Sequence, residues 1–199
     1  MLRTLLIGTT NPGKVREIRR VLAGVPQVLR TLDGFPPIEE PDEHAVTCAE
    51  NALLKARHYA AATGLPAVAE DSGLFIDALA GRPGVLSARY PGNTYVDKFV
   101  NLYRELAGHP RPWSARFLCA AAVVSETGHT LFTCEATVEG EIAPEPRGSH
   151  GFGYDPIFFY PPYGCTFAEA TDDRKLAVAH RGKAFRLVCE FLEIGARGL

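Results

Sequence analysis

The sequence predicts an α/β protein built on a mixed central β-sheet flanked by helices. Three observations carry that expectation. The chain opens with an apolar run, a tight polar turn and an amphipathic helix. Strand-like and helix-like segments then alternate through the first half. Two strand-like runs joined by a short turn follow in the middle, and such a hairpin requires an antiparallel pair in the sheet.

Each element has its own signal. Arg3–Gly8 reads as a short buried strand. Asn11 is a helix N-cap, Pro12 takes the first helical position, and Val15, Ile18 and Leu22 recur at helical spacing. The Pro-rich acidic stretch FPPIEEPDEH, Phe35 to His44, is a loop. Thr47 and Glu50 have the spacing of a capping box and start a helix whose apolar side is Ala52, Leu53, Ala56, Tyr59 and Ala60, closed by Gly64. Pro66–Ala69 is a brief apolar strand running into Glu70-Asp71-Ser72-Gly73, which puts both acids at a strand end. Beyond the loop-rich GRPGVLSARYPGN, a helix from near Thr94 carries Val96, Phe99, Val100, Tyr103 and Leu106 on one side and stops at Gly108. Phe117–Val124 is almost continuously apolar, as in a strand covered on both faces. After the turn Glu126-Thr127-Gly128, Phe132, Cys134, Ala136 and Val138 alternate with polar residues through His129–Glu139, a half-buried strand. A final amphipathic helix turns Ala184, Phe185, Val188, Phe191 and Leu192 inward.

Composition narrows the classes. The chain has 199 residues, 46% hydrophobic and 22% charged, enough for one sizeable core, and 1–199 is expected to act as a single domain. A net charge of −2 gives no global field toward nucleic acid or an anionic membrane, so any bound anion must be held by a local cluster. The opening run Leu5–Ile7 is far too short for a signal peptide or a membrane span. Cys48, Cys119, Cys134, Cys165 and Cys189 are widely spaced with no C-x-x-C pattern, which argues against a zinc knuckle or disulfide framework and for reduced thiols in the cytoplasm.

Four stretches could carry chemistry. Gly8 to Lys14 in GTTNPGKV matches the phosphate-cradling pattern G-x-x-x-x-G-K, but Val15 stands where a P-loop places Ser or Thr on magnesium. Backbone N–H groups at a helix start, with a lysine, still suit an oxyanion, although a plain strand-to-helix turn has the same look. The pair Glu70-Asp71 could hold magnesium or polarise water, or be a solvated turn. The acids Glu39, Glu40, Asp42 and Glu43 read as solvated surface unless a divalent ion needs a further carboxylate. In GFGYDPIFF, glycines beside Phe152 and Tyr154 allow a flat ligand to stack, and Lys175, His180 and Arg181 could meet phosphate or base oxygens; a bulge with core aromatics fits equally. Together the four supply what a magnesium–nucleoside triphosphate enzyme requires.

The motifs TTNPGKVREI, TCAENALLKA, EDSGLFIDALAGRPGVLSARY, GFGYDPIF and KLAVAHRGKA, in order along essentially the whole chain, resemble the inosine/xanthosine triphosphatase or Ham1-like family, pyrophosphatases of non-canonical purine nucleoside triphosphates. The resemblance implies hydrolysis of ITP, dITP and XTP to the monophosphate and pyrophosphate, two lobes around a substrate cleft, dependence on Mg²⁺, and a homodimer. It implies that Thr9, Thr10, Asn11, Pro12, Gly13 and Lys14 hold the triphosphate, with Lys14 the charged contact. Asp71 matches the catalytic acid and metal ligand, and Ser72 touches substrate. Asp42 is the expected second metal ligand, with Glu43 the alternative, because the usual glutamate three residues before a glycine is replaced here by Asp42 and Ala45. Phe152, Gly153, Tyr154 and Asp155 match the base-binding motif, and Lys175, His180 and Arg181 the remaining substrate contacts. Lys14 and Lys175 are expected to share the charge of the leaving pyrophosphate. Ala179 stands where the family usually has Ser. The competing expectations are a degenerate P-loop NTPase cleaving at the γ-phosphate, a Maf-type pyrophosphatase of other base specificity, and a nucleotide sensor without turnover.

Overall fold

The computed structural model describes residues 2–197. Leu5, Leu6 and Ile7 are wholly buried in β1 (Thr4–Ile7), and the chain turns at Gly8 into α1 (Pro12–Val21). The turn is made by Asn11, whose side-chain oxygen accepts from the backbone N–H groups of Gly13 at 2.9 Å and Lys14 at 3.1 Å. Then come β2 (Val28–Thr31), α2 (Cys48–Thr63), the long β3 (Ala67–Ile76), the two-residue β4 (Pro83–Gly84) and α3 (Tyr95–Leu106). The hairpin strands β5 (Ser114–Val124) and β6 (Thr130–Ile142) follow, then β7 (Phe158–Tyr160), β8 (Cys165–Thr166), α4 (Asp172–Val178) and α5 (His180–Arg197).

One mixed sheet runs in the order β2-β1-β3-β5-β6-β7-β8, with β4 on β3. β1 is parallel to β2, Thr4 opposite Val28, and parallel to β3, Ile7 opposite Val68. β7 is antiparallel to β6 and to β8. The expected α/β class with a mixed sheet is therefore what the chain forms.

The chain divides into two compact units. The first holds the described residues through Asp71, Cys119–Ala136 and those from His180 onward; its core joins Leu5, Ile7, Val68, Cys119 and Val123 of the strands to Ile18 and Leu22 from the first helical stretch and Phe185 and Val188 of α5. The second holds Ser72–Leu118 and Thr137–Ala179, with a core of Leu74, Phe99, Leu102, Trp113, Phe117, Tyr154, Phe158 and Phe167. Among the described residues no helix is long and apolar enough to cross a membrane.

Several expectations are corrected. β3 does not stop at Ala69 but continues through Glu70 and Asp71 to Ile76, so the two acids lie within a strand rather than at its end. The continuation is possible because partners from distant segments neutralise both acids, and because Gly73 has no side chain to meet the carbonyl of Gly84, which would lie 2.2 Å from a Cβ there. Val96 and Val100 are not inward: they are 67% and 51% exposed, because Phe99, Leu102 and Leu106 form the buried stripe of α3. At α2 only half of the capping box forms: the Thr47 hydroxyl accepts from Glu50 N–H at 3.2 Å, while the Glu50 carboxylate accepts from that hydroxyl rather than from the Thr47 backbone. The reciprocal box is made instead by Thr94 and Asp97 at α3.

Candidate active site

Consecutive residues of a strand project to opposite faces. Glu70 shares a face with Val68, which packs against Ile18, Phe185 and Val188, and it meets Lys14 of α1 and Arg181 of α5. Asp71 meets Asn51 and Lys55, which stand four residues apart on α2.

The Glu70 side chain is fully buried. Its Oε1 takes Lys14 Nζ at 2.7 Å and Arg181 Nη2 at 3.4 Å, and its Oε2 accepts from the Cys119 thiol at 3.3 Å. Arg181 in turn holds Glu17 at 2.7 Å. Burial works against ionising Glu70, but Arg181, Lys14 and Lys55 outweigh it and hold the carboxyl well below the usual carboxylate range. Burial likewise opposes the Arg181 charge, and Glu70 and Glu17 more than offset it.

Around Asp71, Asn51 donates to Oδ2 at 3.2 Å and Lys55 to Oδ1 at 3.2 Å. The Lys55 ammonium also reaches the Glu70 carbonyl at 3.3 Å and pairs with Glu43. Burial lowers its proton affinity, but Asp71, Glu70 and Glu43 raise it further, so Lys55 stays charged. Oxygens from three residues thus converge on one cation, an all-oxygen donor set of the kind that suits Mg²⁺. Glu43 belongs to that set. Asp42 is exposed, and its carbonyl meets His44 Nδ1 at 3.0 Å. Among the described residues no three His, Cys, Asp or Glu side chains gather as a metal site. The Thr10 hydroxyl bonds Glu40, and Thr9 and Asn11 are half-buried around the turn before Lys14.

The second unit holds Ser72, Phe152, Gly153, Tyr154, Asp155 and Lys175. Asp155 Oδ2 accepts from Phe152 N–H at 2.8 Å and from Lys175 Nζ at 2.5 Å. Lys175 is 2% exposed, and its ammonium lies 4.9 Å from the centroid of the Phe152 ring. The loop closes this tightly because Gly151 has φ +73°, and a Cβ there would stand 2.1 Å from Asp155 Oδ2. Tyr154 is a core residue: its hydroxyl donates to the Ser87 carbonyl at 2.8 Å and its ring packs edge-on to Tyr95 at 5.2 Å. Gly153 lies beside Tyr95, and Ser72 is half-buried on β3; His180, in the first unit, is buried at the start of α5.

Lys14 and Asp71 are thus gathered with Arg181 in one charged network of the first unit, while Phe152, Asp155 and Lys175 form a second cluster. Glu17, Asn51, Lys55 and Cys119 escaped the sequence reading. Asn51 and Lys55 had a visible signal, being polar residues interleaved with the apolar face that carries Ala52, Ala56 and Tyr59.

Comparison with known proteins finds the same family. The model of the Ham1 family matches residues 5–191. A dITP/XTP pyrophosphatase of Geobacter sulfurreducens is 45% identical over 191 residues, 94% of this chain and 96% of its own length. One of Thermus thermophilus is 46% identical over 202 residues, 98% of this chain and 95% of its own. The solved structure of a HAM1 protein from Coxiella burnetii shares the fold with a TM-score of 0.85 at 38% identity, covering 97% of this chain and 99% of that one.

Proposed function

The chain belongs to the Ham1 family, and from that premise we propose that it hydrolyses dITP, ITP and XTP to the nucleoside monophosphate and pyrophosphate, clearing deaminated purines from the nucleotide pool. The observation that carries the reading is the buried network on Glu70 and Asp71, in which cations from α1, α2 and α5 surround two adjacent carboxylates.

In this reading Lys14, at the N-terminus of α1, meets the triphosphate with the backbone N–H groups of the preceding turn. Asp71 and Glu43 would hold Mg²⁺, with substrate phosphates completing its shell, since that ion commonly takes one or two carboxylates plus phosphate oxygens. Bound there, Mg²⁺ supplies charge neutralisation to the triphosphate. Asn51 and Lys55 hold the Asp71 carboxylate in one orientation. Water attacks the α-phosphorus, and Lys14 takes up charge on the departing pyrophosphate. Lys175 is reassigned to the base: its ammonium is a donor beside the acceptor Asp155, a pattern complementary to the C6 keto and N1–H edge of hypoxanthine. Adenine, with an amino donor at C6 and an acceptor at N1, would leave both groups mismatched. Phe152 is the stacking surface. The chain is proposed to act as a single functional domain, in a cytoplasmic homodimer.

The test is a nucleotide panel with Mg²⁺, pyrophosphate and orthophosphate being measured in parallel. Pyrophosphate from dITP, ITP and XTP, and little from ATP or modified pyrimidine nucleotides, is expected. Orthophosphate as the first product would favour γ-phosphate cleavage instead. Asp71→Asn should abolish turnover at saturating Mg²⁺; activity like the wild type's would remove Asp71 from the mechanism.

A further inference from the structure

Lys14 and Asp71 have roles in the proposed reaction, while Glu70, next to Asp71 in the strand and paired with Lys14, has none. Its carboxylate is completely enclosed, yet it stands 2.7 Å from an ammonium whose own side chain keeps 16% of its surface open. Lysine is a flexible side chain with three donors on its ammonium. One is engaged by Glu70, and the others remain for an incoming anion. Glu70 is itself fixed from two further directions, by Arg181 at 3.4 Å and by the Cys119 thiol at 3.3 Å. Glu17 holds Arg181 from behind at 2.7 Å. The charges of Glu17, Arg181, Glu70 and Lys14 balance within this set, so the contact orders Lys14 without leaving a net negative charge to repel phosphate.

We propose that Glu70 is the positioning residue for triphosphate binding: it holds the Lys14 ammonium at the head of α1, and Cys119 and Arg181 hold Glu70. The inference rests on the reading that Lys14 contacts phosphate. It assigns Glu70 no contact with substrate.

A double-mutant cycle tests it, with product inhibition by pyrophosphate and the KM for ITP measured in the wild type, Lys14→Ala, Glu70→Gln and the double variant. Lys14→Ala and Glu70→Gln should each raise the pyrophosphate inhibition constant about tenfold, and the double variant no further than the worse single one. KM should rise more than kcat falls in Glu70→Gln. Effects that multiply in the double variant overturn the inference while leaving Lys14 as a phosphate contact. An unchanged constant in Lys14→Ala overturns both. Glu70→Asp keeps the charge, and so the balance of the network, but withdraws the carboxylate by one methylene. It should weaken pyrophosphate in the Lys14 background only, and wild-type inhibition in Glu70→Asp would show that charge balance, not placement of Lys14, is the role of this residue.

Discussion

Asp155→Asn isolates the value of one buried ion pair. Asp155 and Lys175 are 3% and 2% exposed, and their charged atoms stand 2.5 Å apart. Asparagine has the same shape, and its side-chain oxygen can still accept from Phe152 N–H, so the backbone bond at 2.8 Å survives. What disappears is the negative charge facing a buried ammonium. Removing one partner of a buried pair costs about 3–5 kcal/mol, a large share of the roughly 5–15 kcal/mol that holds a typical protein folded. For a chain of this size that corresponds to a fall in Tm of about 6–20 °C. The assay is urea unfolding followed by fluorescence of Trp113, the sole tryptophan, which is buried in the same compact unit as the pair. Adding Lys175→Met to Asp155→Asn should recover most of the loss, because the stranded charge is then gone. A single variant within about 1 kcal/mol of the wild type, or a double variant no more stable than the single, would refute the reasoning.

The other predictions follow from equally local geometry. Gly151→Ala forces a left-handed residue against the Asp155 carboxylate, so it should cost at least about 1–3 kcal/mol and raise the KM for ITP; an unchanged Trp113 unfolding midpoint contradicts it. Lys55→Met keeps the aliphatic body but removes the ammonium shared by Asp71 and Glu43, so kcat should fall at least about tenfold while half-saturation by Mg²⁺ moves to lower concentration. Burial pushes the Cys134 thiol from 9.0 up to about 11, so the folded state keeps its proton after the unfolded chain has lost it. Its contribution is full below pH 9.0 and declines as pH rises toward about 11, a slope that Cys134→Ala should remove from stability measured by urea unfolding.

Much of the fold was legible because local signals and tertiary structure agree. Asn11 caps α1, Gly64 closes α2 in a left-handed conformation, and Ala184, Phe185, Val188 and Leu192 are the buried side of α5. β2 escaped notice because it is a four-residue strand, largely exposed, with no apolar alternation to announce it. α4 is a seven-residue helix capped by Thr171, too short to show a periodicity. The end of β3 was misplaced for a different reason. EDSG has the composition of a turn, and only the cations of Lys14, Lys55 and Arg181, remote in sequence, make it tolerable inside a strand. The same remoteness hid the acid partners of Arg181 and Lys175. Both have the composition of surface cations at the ends of short polar motifs, and both are buried against acids.

The placement of the acids within β3 also explains the departure from a P-loop. In that design one turn carries both functions, a lysine for the phosphates and the next hydroxyl for the metal. Here Val15 occupies the hydroxyl position, and its N–H simply continues the helix onto the Asn11 carbonyl at 3.0 Å. On the proposed reading the metal function is free to move because a strand offers two faces at successive residues. Glu70 pairs with Lys14 on one face, and Asp71 presents its carboxylate to Asn51 and Lys55, the latter also paired with Glu43, on the other. A strand holds such groups more firmly than a loop does. On the proposed reading the two functions need not share a turn, and Val15 after the lysine is expected to be neutral where it would disable a P-loop.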